Sequence, residues 1–465
     1  MRITIKDFGP VAEGVVDLKP LTIFVGPNDS GKSYVATLVH SIVSAENGAF
    51  PPPGGTGDQW APVDHSFKAL YEKAAEIVRA SNDPPTLGDF SEIQEEITGR
   101  VRDSFDGSLE ASITGNFGSD LPGLVRTGQD AAKISVDGYF SASLSDKTSV
   151  TRAGNTTMDP GDRSMLEDDM HEIMDAPLPR MTGHGDASLV ARRIVRLLAG
   201  AALGSARMDE TPRSSFYLPA ARSGLIQGHK ALSAALIQNS RFAGAEEPRT
   251  PGLNGIASGF IAGITMLEGE PGELHGLGEE MEAEILGGRT ELRESGGGLS
   301  HEIFYSTDTS SIPLHRTSST ISEVSALSLY LKHVARPGSL LIIEEPEAHL
   351  HLKNRAAMAR YIVRMVRSGL RVLVITHSSA IVEGLGKHML AGKAAPEKRK
   401  EAGILPDDWL EYDEVAPYVF EGSKESGYRI REITKDMGIP HDDYMDELQD
   451  QYNSAVKLEH ILASK

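Results

Sequence analysis

Two motifs that are chemically incomplete alone lie far apart in this chain. Gly26-Pro27-Asn28-Asp29-Ser30-Gly31-Lys32-Ser33 stands near the start, and Leu341-Ile342-Ile343-Glu344-Glu345-Pro346-Glu347 far downstream. The first fits the spacing GxxxxGK[ST], and its surroundings strengthen it: Leu21–Val25 reads as a buried strand, and the run from Tyr34 to Val43 reads as a helix. A strand, a glycine loop and a helix in that order form a cradle for phosphate. Backbone N–H groups face the anion there, and the helix dipole adds positive potential. Glycine at positions 26 and 31 lets the main chain approach closely. The nucleotide-binding set is therefore Gly26, Pro27, Asn28, Asp29, Ser30, Gly31, Lys32, Ser33 and Tyr34. Lys32 is expected on the outer phosphates, and the Ser33 hydroxyl on Mg²⁺.

The second motif supplies carboxylates. Ser339–Ile343 is an apolar strand ending at Glu344 and Glu345, and consecutive strand residues point to opposite faces, so the two have different tasks. Glu344 is expected in the Mg²⁺ shell and Glu345 as the base for an attacking water, because phosphoryl transfer to water needs positioning and charge neutralisation more than covalent chemistry. A further β-branched strand, Leu370–Ile375, ends at Thr376-His377, where His377 can hydrogen-bond a γ-phosphate or the water. The cofactors implied are ATP and Mg²⁺.

These motifs resemble the ABC-type ATPases of the SMC, RecF and OLD (overcoming lysogenisation defect) group. They are most similar to stand-alone bacterial AAA-family ATPases with GPNxSGKS, EEPEAHLH and TH motifs. The resemblance spans residues 1–45 and roughly 210–390 and implies an α/β fold: an ABC-type P-loop head with a mixed sheet, residues 1–45 and 211–390. A helical and antiparallel insertion occupies 46–210, and a small α+β cap 391–465. It further implies a switch role for His377 and a signature loop that completes the site of a second copy. The candidate is Thr317-Ser318-Ser319-Thr320-Ile321-Ser322-Glu323, with Ser318 and Ser319 offered to a partner's γ-phosphate. Thr320 stands where glycine is common, and an ordinary helix cap with Glu323 in a capping box fits the same letters. Arg222, in Phe216-Tyr217-Leu218-Pro219-Ala220-Ala221-Arg222, is placed near the nucleotide by the same likeness.

Composition narrows the partners. Lys and Arg total 46 against 66 Asp and Glu, a net charge of −20, which opposes a surface that coats nucleic acid. Arg360, Arg364 and Arg367 share a helix face, Arg192, Arg193 and Arg196 another, and Lys398-Arg399-Lys400 is expected in a loop. Any nucleic-acid contact is thus expected only in a confined local groove. The absence of cysteine excludes disulfides, thiolate metal sites and cysteine nucleophiles. No apolar run is long enough to span a bilayer, so no membrane association and a cytoplasmic location are expected.

Helices are expected near 65–80, 90–104, 187–203 and 443–462, an antiparallel pair within Ile134–Leu144, and short strands near 409–420 and 428–433. The acidic clusters near 442–447 read as a solvated helix face. The functional expectation is Mg-dependent ATP hydrolysis by a head that pairs across nucleotides as a homodimer or higher even oligomer. It would regulate a separate effector protein, a nuclease or toxin, as in anti-phage systems; the alternative is a RecF-like DNA-repair ATPase.

Overall fold

A computed structural model describes residues 1–49, 68–80, 85–152, 190–198 apart from 192 and 196, 212, 214–228, 253–267, 269–294 and 301–433. The expected helix at 443–462 and the acidic cluster beside it lie outside these residues, as do most of 150–186, Arg192 and Arg196.

The centre of the fold is a run of parallel strands: β3 (Leu21–Val25), β11 (Leu340–Glu344) and β12 (Arg371–Ile375), with β7 (Ser215–Leu218) beyond β11. β12 pairs with β3 through Ile375↔Phe24 and with β11 through Glu344↔Ile375. Such strands are nearly all apolar because helices cover both faces. Alternation assigns the faces: Phe24, Leu340, Ile342, Leu373 and Ile375 join one core, whereas Leu21, Ile23, Leu341, Ile343, Val372 and Val374 join the other.

The first core is closed by α1 (Lys32–Ala49) and α3 (Ser91–Phe117), which pack on each other. α2 (Lys68–Ala80) lies beside α3. The second core is closed by α6 (Ser319–His333), α7 (Leu352–Arg367) and α8 (Ser379–Gly392). α6 is buried from Ser322 through Lys332, which makes it the central helix of that layer. α4 (Gly255–Thr265) and α5 (His275–Met281) flank it, and a small antiparallel sheet of β8 (Arg289–Glu294), β9 (His301–Ser306) and β10 (Ser311–Pro313) adjoins, a sheet the Gly-rich sequence there did not announce. α5 continues into a π-turn, Glu282–Leu286, whose Glu282 is fully buried and ion-paired to Lys332 at 3.2 Å.

Two segments expected outside the head contribute to its sheet. β13 (Val415–Ser423) runs parallel to β3 on the side opposite β12, and β14 (Gly427–Glu432) links it to β2 (Val11–Asp17). The described part of 391–465 is therefore no peripheral cap. Likewise β4 (Ala132–Val136) pairs antiparallel with β1 (Arg2–Phe8), and β5 (Phe140–Leu144) and β6 (Thr148–Arg152) extend the edge, giving an 11-stranded mixed sheet. Local patterning shows that a segment is a strand but not which distant strand it will pair with, and here the pairing decided the architecture. Lys398, Arg399 and Lys400 lie on a short helix, α9 (Pro396–Glu401), not in a loop, because Pro396 opens it at a position where no N–H is needed.

Phe420 of β13 is fully buried and stands edge-on to Phe24 at 5.2 Å between ring centroids. Phe420→Ala is expected to cost about 3–5 kcal/mol, as for other buried aromatic truncations. Urea unfolding should show one cooperative transition shifted to lower denaturant; a small early transition with the main one unmoved would mean that β13 is detachable.

Candidate nucleotide site

Because β3, β12 and β11 are parallel neighbours in register, their C-terminal ends open side by side. The loop after β3 carries Gly26–Ser33, that after β12 carries Thr376-His377, and β11 ends in Glu344-Glu345. Neighbouring strands lie about 4.8 Å apart, so three consecutive strand ends span little more than a phosphate chain.

In the first loop, Gly26 and Gly31 have φ of 133° and 100°, backbone conformations that side chains resist. A Cβ at Gly26 would meet the Phe420 carbonyl at 2.8 Å, so the strand next door enforces glycine as well. Pro27, Asn28 and Asp29 are exposed, Ser30 and Lys32 are buried, and Ser33 is exposed at the opening of α1. Lys32 Nζ is folded into the loop, donating to the carbonyls of Gly26 (2.9 Å) and Pro27 (2.5 Å) and to Ser30 Oγ (3.3 Å). Burial lowers its pKa to about 8, against the opposing pull of Asp29, Glu345 and Glu344. Asp29 also meets exposed Lys424 of the β13–β14 turn at 3.1 Å, a contact of small energetic weight. Tyr34 packs edge-on to Phe8 and against Phe117, which ties the helix start to β1 and α3.

Glu344 and Glu345 do face different surroundings. The Glu344 carboxylate accepts from the Tyr217 hydroxyl at 2.8 Å and the Ala220 N–H at 2.9 Å, each oxygen using one of its two lone pairs. Glu345 is half-buried with φ of 44°, and its N–H donates to the Ile375 carbonyl at 2.8 Å. Burial, and next the Lys32 charge, lower the His377 pKa below the usual imidazole value, which keeps the ring neutral near neutral pH. Glu345 opposes this shift.

Glu347 and Tyr217 went unassigned in the sequence. One oxygen of buried Glu347 accepts from Thr376 Oγ1 at 2.8 Å and the His377 N–H at 3.0 Å, so it ties the turn after β11 to the histidine loop. Burial raises its pKa above the ordinary carboxyl value. Tyr217 pairs in register with Ile342, and that alternation puts its hydroxyl on the side of Glu344; the strand-end tyrosine in Phe216–Arg222 was the available signal. Arg222 turns inward beneath the end of β11. Its guanidinium is buried, donating to the carbonyls of Pro219, Glu344 and Glu345, and it is ion-paired to Glu323 at 2.5 Å. Glu323 therefore forms no capping box. The cap of α6 is Ser318, whose exposed hydroxyl accepts from the Ile321 N–H, and Ser319 beside it is half-buried.

A glycine loop between a parallel strand and a helix, with carboxylates at the end of the next strand but one, gives an α/β fold the layout of a phosphate cradle. Residues 276–382 match the family model described as an AAA ATPase domain, a stretch that includes α6, β11 and β12. Among solved structures the chain is similar to an Smc head bound to the C-terminal winged-helix domain of ScpA. Identity is 11%, 94% of this chain and 97% of that one are covered, and the TM-score is 0.39. It is also similar to an Smc head with an extended coiled coil bound to the C-terminal domain of ScpA from Pyrococcus furiosus (10%; 97% and 98%; TM-score 0.38). A third likeness is to the SMC head domain of Thermotoga maritima (11%; 93% and 98%; 0.33). No curated protein matches the chain. Among the described residues no helix is long and apolar enough to cross a membrane.

The residues fit a magnesium triphosphate: an amine folded where outer phosphates would lie, an exposed hydroxyl at Ser33, and a Glu344 carboxylate with lone pairs to spare. Phosphate binding favours the Lys32 ammonium and so raises its pKa from about 8. Affinity for ATP should hence be level below about pH 8 and fall by up to about tenfold per pH unit above it. Calorimetric titration with Mg·ATP across that range checks this, and Lys32→Arg should flatten the decline.

Proposed function

We propose that this chain binds and hydrolyses ATP with Mg²⁺, pairs with a second copy across bound nucleotides, and through that pairing controls a separately encoded effector such as a nuclease or toxin. The observation that carries the reading is the register of β3, β12 and β11, whose adjacent ends carry the Gly26–Ser33 loop, Thr376-His377 and Glu344-Glu345. Gly26–Tyr34 would enclose the phosphates, with Lys32 leaving its two carbonyl partners to neutralise the outer ones. Ser33 and Glu344 would hold the magnesium ion, which would offset the charge of the phosphates. Tyr217 and the Ala220 N–H fix the Glu344 carboxylate for that task. Glu345 would take the proton of the attacking water, and neutral His377, held through its backbone by Glu347, would bond the γ-phosphate or that water.

Pairing follows from surfaces one copy leaves uncovered. Ser318 is exposed at the start of α6, and Leu352, just beyond the Glu345–His351 stretch, is an apolar side chain 66% exposed. A second head laid across the nucleotide would cover both. Control of an effector accords with the EEPEAHLH resemblance to stand-alone anti-phage ATPases.

The DNA-handling alternative needs a free basic track. Arg360 is paired to Glu284, Arg364 to Asp408 at 2.7 Å and Glu280 at 3.1 Å, and Arg367 to Glu414 while stacking on Trp409. That helix face is spent on the protein itself, so duplex DNA is expected to leave the ATPase rate unchanged at low salt.

Lys32→Ala should abolish saturable ATP binding. Glu345→Gln should retain binding, lower turnover by about 10²–10⁴-fold as for other lost general bases, and accumulate an ATP-dependent larger species. Turnover assays with size-exclusion light scattering test both; a Glu345→Gln protein working at the parent rate would remove Glu345 from its role.

A further inference from the structure

The turn that presents Glu345 is held from outside. Glu345 and His349, at its two ends, have φ of 44° and 57°, left-handed backbone that residues other than glycine adopt only when their surroundings impose it. At the first end Arg222 grips the carbonyls of both Glu344 (2.6 Å) and Glu345 (3.2 Å), fixing the peptide on each side of the Glu345 Cα. At the second end the Thr320 hydroxyl donates to the His349 carbonyl at 2.8 Å.

Both holds originate on one element. Thr320 lies in the first turn of α6, and Glu323, the ion-pair partner of Arg222 at 2.5 Å, lies one turn further. Arg222 is 3% exposed and Glu323 2%, so neither can exchange its partner for water without leaving the other charge buried and uncompensated. The same first turn carries Ser318, exposed, and Ser319, half-buried.

We infer that Thr320, Glu323 and Arg222 form a positioning linkage through which the first turn of α6 sets the backbone geometry of Glu345. A phosphate of the partner's nucleotide engaging Ser318 and Ser319 would load that turn, and the two tethers pass the load to the general base of the same chain. Glycine at position 320 would permit closer backbone approach but could not bond the His349 carbonyl. None of the three residues need touch nucleotide. The inference rests on the ATPase reading above, and its test separates the two.

The experiment compares parent, Thr320→Val and Thr320→Ser for thermal unfolding, Mg·ATP affinity, KM and kcat. Thr320 is half-buried, so a valine of equal shape should fold and bind nucleotide as the parent does. Thr320→Val is expected to lower kcat about tenfold, the rate equivalent of one lost hydrogen bond, with KM and affinity unchanged. Thr320→Ser should restore kcat, which a packing role for the methyl group would not. Glu323→Gln keeps the shape but leaves the Arg222 charge uncompensated, so it should lower the unfolding temperature as well as kcat. Parent-like kcat in Thr320→Val, or a Thr320→Ser protein as slow as the valine variant, overturns the linkage while leaving the ATPase reading intact. A parent that neither binds nor turns over ATP overturns that reading and the linkage with it.

Discussion

The parallel register of β3, β12 and β11 is the constraint from which the rest of the site follows. Pairing Phe24 with Ile375 and Ile375 with Glu344 leaves three loops emerging at one edge, so residues far apart in the chain become neighbours without any helix or loop having to reach. The register is itself secured by burial: shifting any one strand by a residue would move Ile342 or Leu373 from one core to the other and expose the mismatch on both faces. β13 adds a fourth wall, its Phe420 carbonyl lying where a side chain on Gly26 would have to go.

Around this edge the carboxylates are differentiated by what they already bond. Glu344 is immobilised by Tyr217 and Ala220, and Glu347 by Thr376 and the His377 backbone, whereas the Glu345 main chain is fixed by Arg222 and Ile375. In the proposed roles, Glu344 would gain from a fixed carboxylate as a metal ligand, and Glu345 from a fixed backbone beneath a side chain that can follow a proton. Lys32 is the complement: buried, below its usual pKa, and tied only to neutral oxygens that a phosphate would outcompete.

Much of this was legible in the letters. The strands Leu21–Val25, Leu340–Glu344 and Arg371–Ile375, the α1 and α6 helices and the hairpin within 132–144 follow from runs of β-branched residues and from helical periodicity, which are local properties. The α/β class was legible for the same reason. What escaped depends on contacts across the chain. Nothing near Val415 says that it will pair with Leu21, nothing near Lys133 that it will pair with Lys6, and nothing near Arg222 that its guanidinium will turn inward to Glu323. The basic stripe on α7 was visible as charge, but its neutralisation by Glu280, Glu284, Asp408 and Glu414 needed the fold.

The central claim is that the loops after β3, β11 and β12 grip one nucleotide together. Amide hydrogen exchange of the intact chain, with and without a slowly hydrolysed Mg·ATP analogue, addresses it most directly. The account predicts that the analogue slows exchange jointly at residues 26–34, 344–349 and 376–378, with a single concentration dependence. Protection confined to one of these segments, or absent from all three at saturating analogue, would contradict it.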